Sequence, residues 1–219
     1  MLNSLRIRWN QFLELAREQS PREALLKSLA TYVNLNRIVV PVYNDLSTPK
    51  QSVKPEAGSC LEFLVVDGEN APSVADKNKT VSRRLKGTHN TRAGYYAYAV
   101  LLNGEIIGDI WCAAPGKVRR DPIHPDLAWL GIECGEKEAY MFDMYVAPES
   151  RGKVVTGFLL ANALEHLKKS GIERVYGFYD KANLPALWIH RLFGYTELEK
   201  RRVSRILIYK RSEAVVSGG

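Results

Sequence analysis

A mixed α/β layer preceded by a helical extension is the fold class the sequence predicts, and three observations point to it. Residues 95–102 and 105–112 are β-rich runs joined by Asn103-Gly104, a dipeptide suited to the positive φ angles of a two-residue hairpin. Residues 151–170 place Val155, Phe158, Leu159, Ala163, Leu164 and Leu167 on one helical stripe, with Gly171 at the stop. Ahead of both, Leu5, Ile7, Trp9, Phe12, Leu13 and Leu15 recur at roughly helical spacing. Ser20-Pro21 then reads as the N-cap and first residue of a second helix.

The other elements follow in order. Residues 37–43 read as a strand leading into a turn-rich stretch, and 61–66 as a short strand closed by Asp67-Gly68. The polar segment 69–90 reads as a mobile or partly helical connection. After the hairpin, 113–126 contains Pro115, Pro122 and Pro125 and reads as a loop. Residues 127–134 and 138–146 read as two strands, the second stopped by Pro148. Residues 174–179 form a further strand, Asn183 caps a short helix ended by Gly194, and 202–209 form the last strand. The expected organisation is a helical extension over 1–35, a domain over 36–211 and a flexible tail over 212–219.

Composition narrows the function classes. At 46% hydrophobic and 25% charged the chain is ordinary globular material, which argues against a disordered or fibrous protein. Its net charge of +7 favours anionic partners through the long-range field. The basic residues are dispersed, at Arg83-Arg84, Arg119-Arg120 and Lys200-Arg201-Arg202, so a nucleic-acid interface is not expected. Three widely spaced cysteines, Cys60, Cys112 and Cys134, make no disulfide framework and no Cys-x-x-Cys pair, and point to a reducing cytoplasm. The polar N-terminus has no signal-peptide core and nothing that would span a membrane. His89, His124 and His166 lack ligand spacing, so no metal is expected.

Met144-Tyr145-Val146-Ala147-Pro148-Glu149-Ser150-Arg151-Gly152-Lys153 runs a strand into a turn that opens a helix. Such a junction offers unpaired N–H groups and the positive end of the helix dipole, which suit a phosphate or pyrophosphate, and Arg151 and Lys153 add charge. A Walker loop is excluded because Phe158, not Lys, follows Gly157, and Gly-x-Gly-x-x-Gly is absent. By strict alternation Asp143 shares a strand face with Ala139, Met141 and Tyr145, an apolar setting expected to raise its pKa.

The run 143–153, followed by an apolar helix with Leu159-Leu160, resembles the acyl-CoA-binding motif of the GNAT acyltransferase superfamily. Asn183, Ala186, His190, Gly194 and Tyr195 resemble its Asn-x-x-Ala-x-x-x-Tyr-x-x-x-Gly-Phe block at matching spacing, with histidine in the tyrosine position. The resemblance covers roughly residues 94–209 and assigns 37–43 to the family's first strand. It is degenerate at the pyrophosphate signature, since Val154 and Thr156 stand where two small residues belong.

The resemblance implies a mostly antiparallel sheet flanked by helices and an N-acyltransferase that passes acetyl from acetyl-CoA directly to a small-molecule or protein amine. It implies cofactor contacts from Met144, Val146, Arg151, Gly152, Lys153, Val154, Val155, Thr156, Gly157 and Asn183. Asp143 would accept a proton, His190 would donate one or bind substrate, and Tyr145 is a further acid candidate. A homodimer is compatible with it. The alternative is a GNAT-fold module that binds a ligand or protein without catalysis.

Overall fold

The computed structural model describes residues 2–18, 20–47, 60–118, 120–151, 154–206 and 209–215. Two helices open the chain, α1 (Leu2–Glu18) and α2 (Pro21–Tyr32). Ser20 caps α2 as expected, its hydroxyl accepting from Glu23 N. Strands β1 (Val33–Asp45) and β2 (Leu61–Val66) follow, then helices α3 (Ala71–Ala75) and α4 (Val81–Arg92), so the polar stretch is largely helical. Thr80 caps α4 by accepting from Arg83 N.

The hairpin β3 (Tyr96–Leu102) and β4 (Glu105–Ala113) forms around Asn103 and Gly104, whose φ angles of 52° and 80° are those of the expected turn. Next come α5 (Pro125–Leu130), β5 (Glu138–Val146), α6 (Val155–Lys169), β6 (Arg174–Asp180) and α7 (Leu184–Leu192). Strands β7 (Thr196–Glu197), β8 (Arg201–Ile206) and β9 (Tyr209–Ala214) complete the chain.

The strands make one sheet in the order β2-β3-β4-β5-β6-β1-β8-β9, with β7 paired to β1. Among the described strands only β5 and β6 pair in parallel. Helix α6 covers one face, burying Phe158, Leu159, Ala163 and Leu167 against Tyr98, Ile110, Cys112 and Met141. On the other face Val74 packs with Ala97, Ala99 and Trp111, and Leu127 and Leu130 pack with Tyr140 and Tyr176.

Two expectations are corrected. Residues 127–134 are not a strand: Pro125 opens α5, His124 Nδ1 accepts from Asp126 N, and Gly131 ends the helix at φ 70°. Residues 37–43 form part of β1, the first strand along the chain, which lies between β6 and β8 while β2 takes the edge beside β3. Ser212, Glu213 and Ala214 of β9 pair with β8 instead of belonging to a free tail, and residues 216–219 of the expected tail lie outside the described residues.

Leu159, fully buried between α6 and the sheet, tests this core. Leu159→Ala should lower the unfolding free energy by about 2 to 5 kcal/mol in urea denaturation. A loss below about 1 kcal/mol would mean that α6 is not packed as described.

Candidate active site

Strand β5 changes face partway along. Trp111 of β4 pairs with Phe142 and Asp109 with Tyr145, so Asp143 and Met144 together oppose the single residue Ile110, a β-bulge. Asp143 sits at a left-handed φ of 54°, which costs a non-glycine residue on the order of 1 kcal/mol. The bulge corrects the strict alternation expected from sequence. Met141, Met144 and Val146 pack toward α6, whereas Phe142, Asp143 and Tyr145 turn to the α4 face.

Arg83 of α4 meets them there. The buried guanidinium donates from Nε to Asp109 Oδ2 at 3.2 Å, from Nη2 to Asp109 Oδ1, and from Nη1 to Asp143 Oδ2 at 2.9 Å. Its Cζ lies 4.9 Å from the centre of the Tyr145 ring. Lys86, one turn further on, reaches the same oxygen of Asp143 at 2.6 Å. Burial pushes Asp109 up to about 6, since the attraction of Arg83 only partly offsets it and Asp143 repels it. Burial acts upward on Asp143 too, but Lys86 and Arg83 outweigh it and hold the carboxyl below its ordinary value. The expected upward shift of Asp143 is therefore reversed: the bulge moves it out of an apolar face and into contact with two cations.

The extension closes this region into a cleft of about 830 Å³. Glu14 of α1 accepts from Ser82 N at 2.9 Å and from the Ser82 hydroxyl, which docks α1 on the first turn of α4. Asp143, Met144, Tyr145 and Arg151 line the cleft together.

Already before the bulge β5 loses a neighbour. It pairs with β6 only through Glu138, Ala139 and Tyr140, and from there the two strands part. Ala147 N donates to Ile107 O on the β4 side at 2.8 Å. Alternation then turns the N–H groups of Val146 and Met144 to the opposite edge, into the gap. Arg151 Nε donates to Val146 O at 3.1 Å and folds the turn under the strand end.

Helix α6 begins at the same place. Val154 is its N-cap and makes no side-chain cap, while Phe158 N is the first to bond back, to Val154 O. The amides of Val155, Thr156 and Gly157 are left at the helix mouth. Gly152 and Lys153 lie outside the described residues.

The other two predicted residues stand apart from the cleft. Asn183 Oδ1 accepts from Ala186 N at 3.1 Å and caps α7. His190 lies between Tyr179 and Tyr195, with ring centroids 5.2 and 4.8 Å away. Its Nδ1 is 2.6 Å from Ala186 O, and a carbonyl can only accept, so Nδ1 carries the hydrogen. Burial lowers the His190 pKa, against the raising effect of that bond. The neutral ring therefore presents a lone pair at Nε2, which disfavours a donor role.

Arg83, Asp109, Glu14 and Ser82 were not singled out from sequence. A lone acid inside the apolar run 105–113 was the signal for Asp109, because a buried carboxylate needs a partner. Among the described residues no three His, Cys, Asp or Glu are grouped to hold a metal, and no helix is long and apolar enough to cross a membrane.

The two aspartates should titrate in an order set by these contacts. A carboxyl-resolved NMR titration should find Asp109 near pH 6 and Asp143 below 3.8. Asp109 holds its proton longer in the folded state, so its contribution to stability falls as pH rises from about 4 to 6. Asp143 has the opposite sign, its contribution being present above the unfolded pKa and lost as pH falls through the depressed folded value. Asp143 titrating above Asp109 would overturn the assignment.

Comparison with known proteins fits this geometry. No curated protein sequence matches the chain. A fungal glucosamine N-acetyltransferase region within a multi-domain GH3 β-N-acetylglucosaminidase superposes with a TM-score of 0.57 at 16% identity, over 85% of this chain and 23% of that one. A GCN5-related N-acetyltransferase from Sphaerobacter thermophilus gives 0.52 at 12% identity, over 89% and 57%. A tandem GNAT protein from the clavulanic acid biosynthesis pathway gives 0.52 at 15% identity, over 92% and 61%. The chain thus spans less than two thirds of each of these proteins, and the likeness is one of fold. The sequence profile of the acetyltransferase (GNAT) family matches residues 62–195, more than half of the chain, from β2 through the turn after α7. The protein belongs to the GNAT acetyltransferase family.

Proposed function

We propose that the protein is a CoA-dependent N-acyltransferase that passes an acetyl group from acetyl-CoA to a primary amine by direct attack within a ternary complex. The carrying observation is the parting of β5 and β6 after Tyr140, with two strand amides facing the gap and the uncapped mouth of α6 at its end. A pantetheine arm laid in the gap meets the amides of Met144 and Val146. A pyrophosphate meets those of Val155, Thr156 and Gly157 at the positive end of the helix.

The chemistry follows from what stands on each side of the gap. The amine approaches from the cleft and its nitrogen forms a bond to the thioester carbonyl carbon. The amides of Met144 and Val146 supply donors for the oxygen as it gains charge. The C–S bond then breaks, and the leaving sulfur takes a proton while the new amide nitrogen gives one up. Asp143, ionised and held by Arg83 and Lys86, is a weak base and acts by holding charge and water beside the amine. Tyr145 lines the cleft beside Met144 and carries a hydroxyl, which makes it the acid candidate of this site. His190 is stacked on Tyr179 of β6 and is not among the residues that line the cleft.

Acetyl-CoA titrated by calorimetry tests the binding half, and CoA release over a panel of amines tests transfer. Tyr145→Phe should keep acetyl-CoA affinity within about twofold and lower kcat by roughly 10². His190→Phe should leave kcat within a few fold. No acetyl-CoA binding by the parent protein would overturn the reading and favour a module without turnover. An unchanged rate in Tyr145→Phe would remove the tyrosine from proton transfer.

A further inference from the structure

The cleft in front of Asp143 takes one wall from outside the family-matched residues, which begin at 62. That wall is α1 with part of α2, and Trp9, Phe12, Leu15 and Leu25 give it an apolar surface. Trp9 and Leu25 are 62% and 52% exposed, and Phe12 stands against Trp9 with ring centroids 5.6 Å apart. Large apolar and aromatic side chains that face a cleft instead of a core suit an acceptor with a flat, apolar body.

The charged groups of the cleft are satisfied within the protein. Asp143 Oδ2 takes Arg83 Nη1 at 2.9 Å and Lys86 Nζ at 2.6 Å, and Asp109 takes the rest of the Arg83 guanidinium. Two carboxylates thus face two cations, a group that sums to zero charge. Glu14 accepts from the Ser82 amide and hydroxyl, Arg151 donates to Val146 O at 3.1 Å, and Arg8 donates to Gln11 Oε1 at 3.4 Å. An alkylammonium entering this cleft would leave water for a place where both described lining carboxylates, Glu14 and Asp143, already have partners. It would have to displace a cation of the protein or lie against one. An uncharged amine meets no such obstacle. Both cations sit on Oδ2 of Asp143, so Oδ1 is the oxygen placed to accept from an amine N–H.

We propose that the acceptor is an aromatic primary amine, uncharged at neutral pH, whose ring lies against Trp9 and Phe12 and whose NH2 group donates to Asp143. An arylamine nitrogen is unprotonated at pH 7, whereas an alkylamine, like a lysine side chain of ordinary pKa about 10.4, is almost wholly ammonium there. The arylamine brings its lone pair ready for attack, which matters where the carboxylate beside it is held as a weak base by two cations. As its nitrogen bonds to the carbonyl carbon and the C–S bond breaks, one N–H proton is given up and the leaving sulfur gains one, so no proton has to be removed beforehand. This inference rests on the transfer reading above and names the substrate class for that same site. It makes the N-terminal extension the element that selects the body of the acceptor.

Calorimetry on the full chain with 4-ethylaniline, its isomer 2-phenylethylamine and spermidine tests this without acetyl-CoA. At pH 7 4-ethylaniline should bind about tenfold or more tighter than 2-phenylethylamine, with spermidine weakest. Raising the pH from 7 to 9 should tighten 2-phenylethylamine by about tenfold or more as its free base grows, while 4-ethylaniline stays within about twofold and so controls for titration of the protein itself. Trp9→Ala should weaken 4-ethylaniline by about fivefold or more. In the CoA-release assay kcat/KM at pH 7 should rank the three amines in the same order. Failure of 4-ethylaniline to bind, equal or tighter binding of either alkylamine at pH 7, or an affinity unmoved by Trp9→Ala overturns the proposal. Failure of acetyl-CoA to bind counts against the transfer reading, whereas the ranking of the amines by calorimetry counts for or against this one alone.

Discussion

The guanidinium of Arg83 is buried, and a buried cation without partners is untenable in a low-dielectric interior. Asp109 on β4 and Asp143 on β5 supply the partners, so one side chain of α4 fastens two adjacent strands to a helix. Removing one member of such a group typically costs about 3 to 5 kcal/mol, because the remaining charge stays desolvated. The geometry of the cleft therefore depends on this contact. It fixes the height of α4 above the sheet, which sets where Thr80 and Ser82 present the first turn, which in turn sets where Glu14 can dock the extension.

The bulge on β5 makes the contact possible. With strict alternation Asp143 would share a face with Met141, under α6, and Arg83 would have one carboxylate. Doubling two residues against Ile110 turns Asp143 to the α4 side and puts Met144 and Val146 back on the α6 side. The left-handed backbone at Asp143 is the cost, and two ion pairs offset it. The same strand then stands free of β6, so its edge groups face a gap within the sheet. Backbone N–H and C=O groups do not stay unmatched in a dry interior, and a gap open to a ligand is one setting where they can. In the proposed reading one strand thus serves both substrates, its edge toward the thioester and its α4 face toward the amine.

Much of this was legible from local signals. The hairpin at Asn103-Gly104, the stripe on α6 and the caps at Ser20 and Asn183 each depend on residues a few positions apart, and each stands where the sequence put it. α5 is hard to read because Leu127, Leu130 and Ile132 suit a strand as well as a helix, and only the flanking Pro125 and Gly131 mark a short helix. The position of β1 within the sheet is not legible in the sequence for a different reason. Which strand fills the slot beside β6 depends on pairing with Arg174–Asp180, more than a hundred residues away, and no local pattern encodes it. At the site, Asp143, Met144, Tyr145 and Arg151 were readable from the strand-to-helix motif. Arg83 was not, since its partners lie 26 and 60 residues away on strands whose register a bulge decides.

The departure of the pyrophosphate signature from the family pattern also acquires a physical meaning. Val154 and Thr156 looked from sequence like bulk at a place where a ligand needs close approach to the backbone. Val154 is instead partly buried and packs against the core cluster of Val155, Phe158 and Leu159, so its branched side chain fills space beneath the helix start. A side chain spent on the core does not stand over the helix mouth, and a valine cannot cap the helix, so the amides at that mouth keep their need for an acceptor. Glycine at 154 would lose that packing and add backbone freedom to the turn, two costs set against whatever room it opened. The substitution is thus compatible with an anion held at α6 by main-chain donors, and it moves the burden of charge from side chains to the helix end itself.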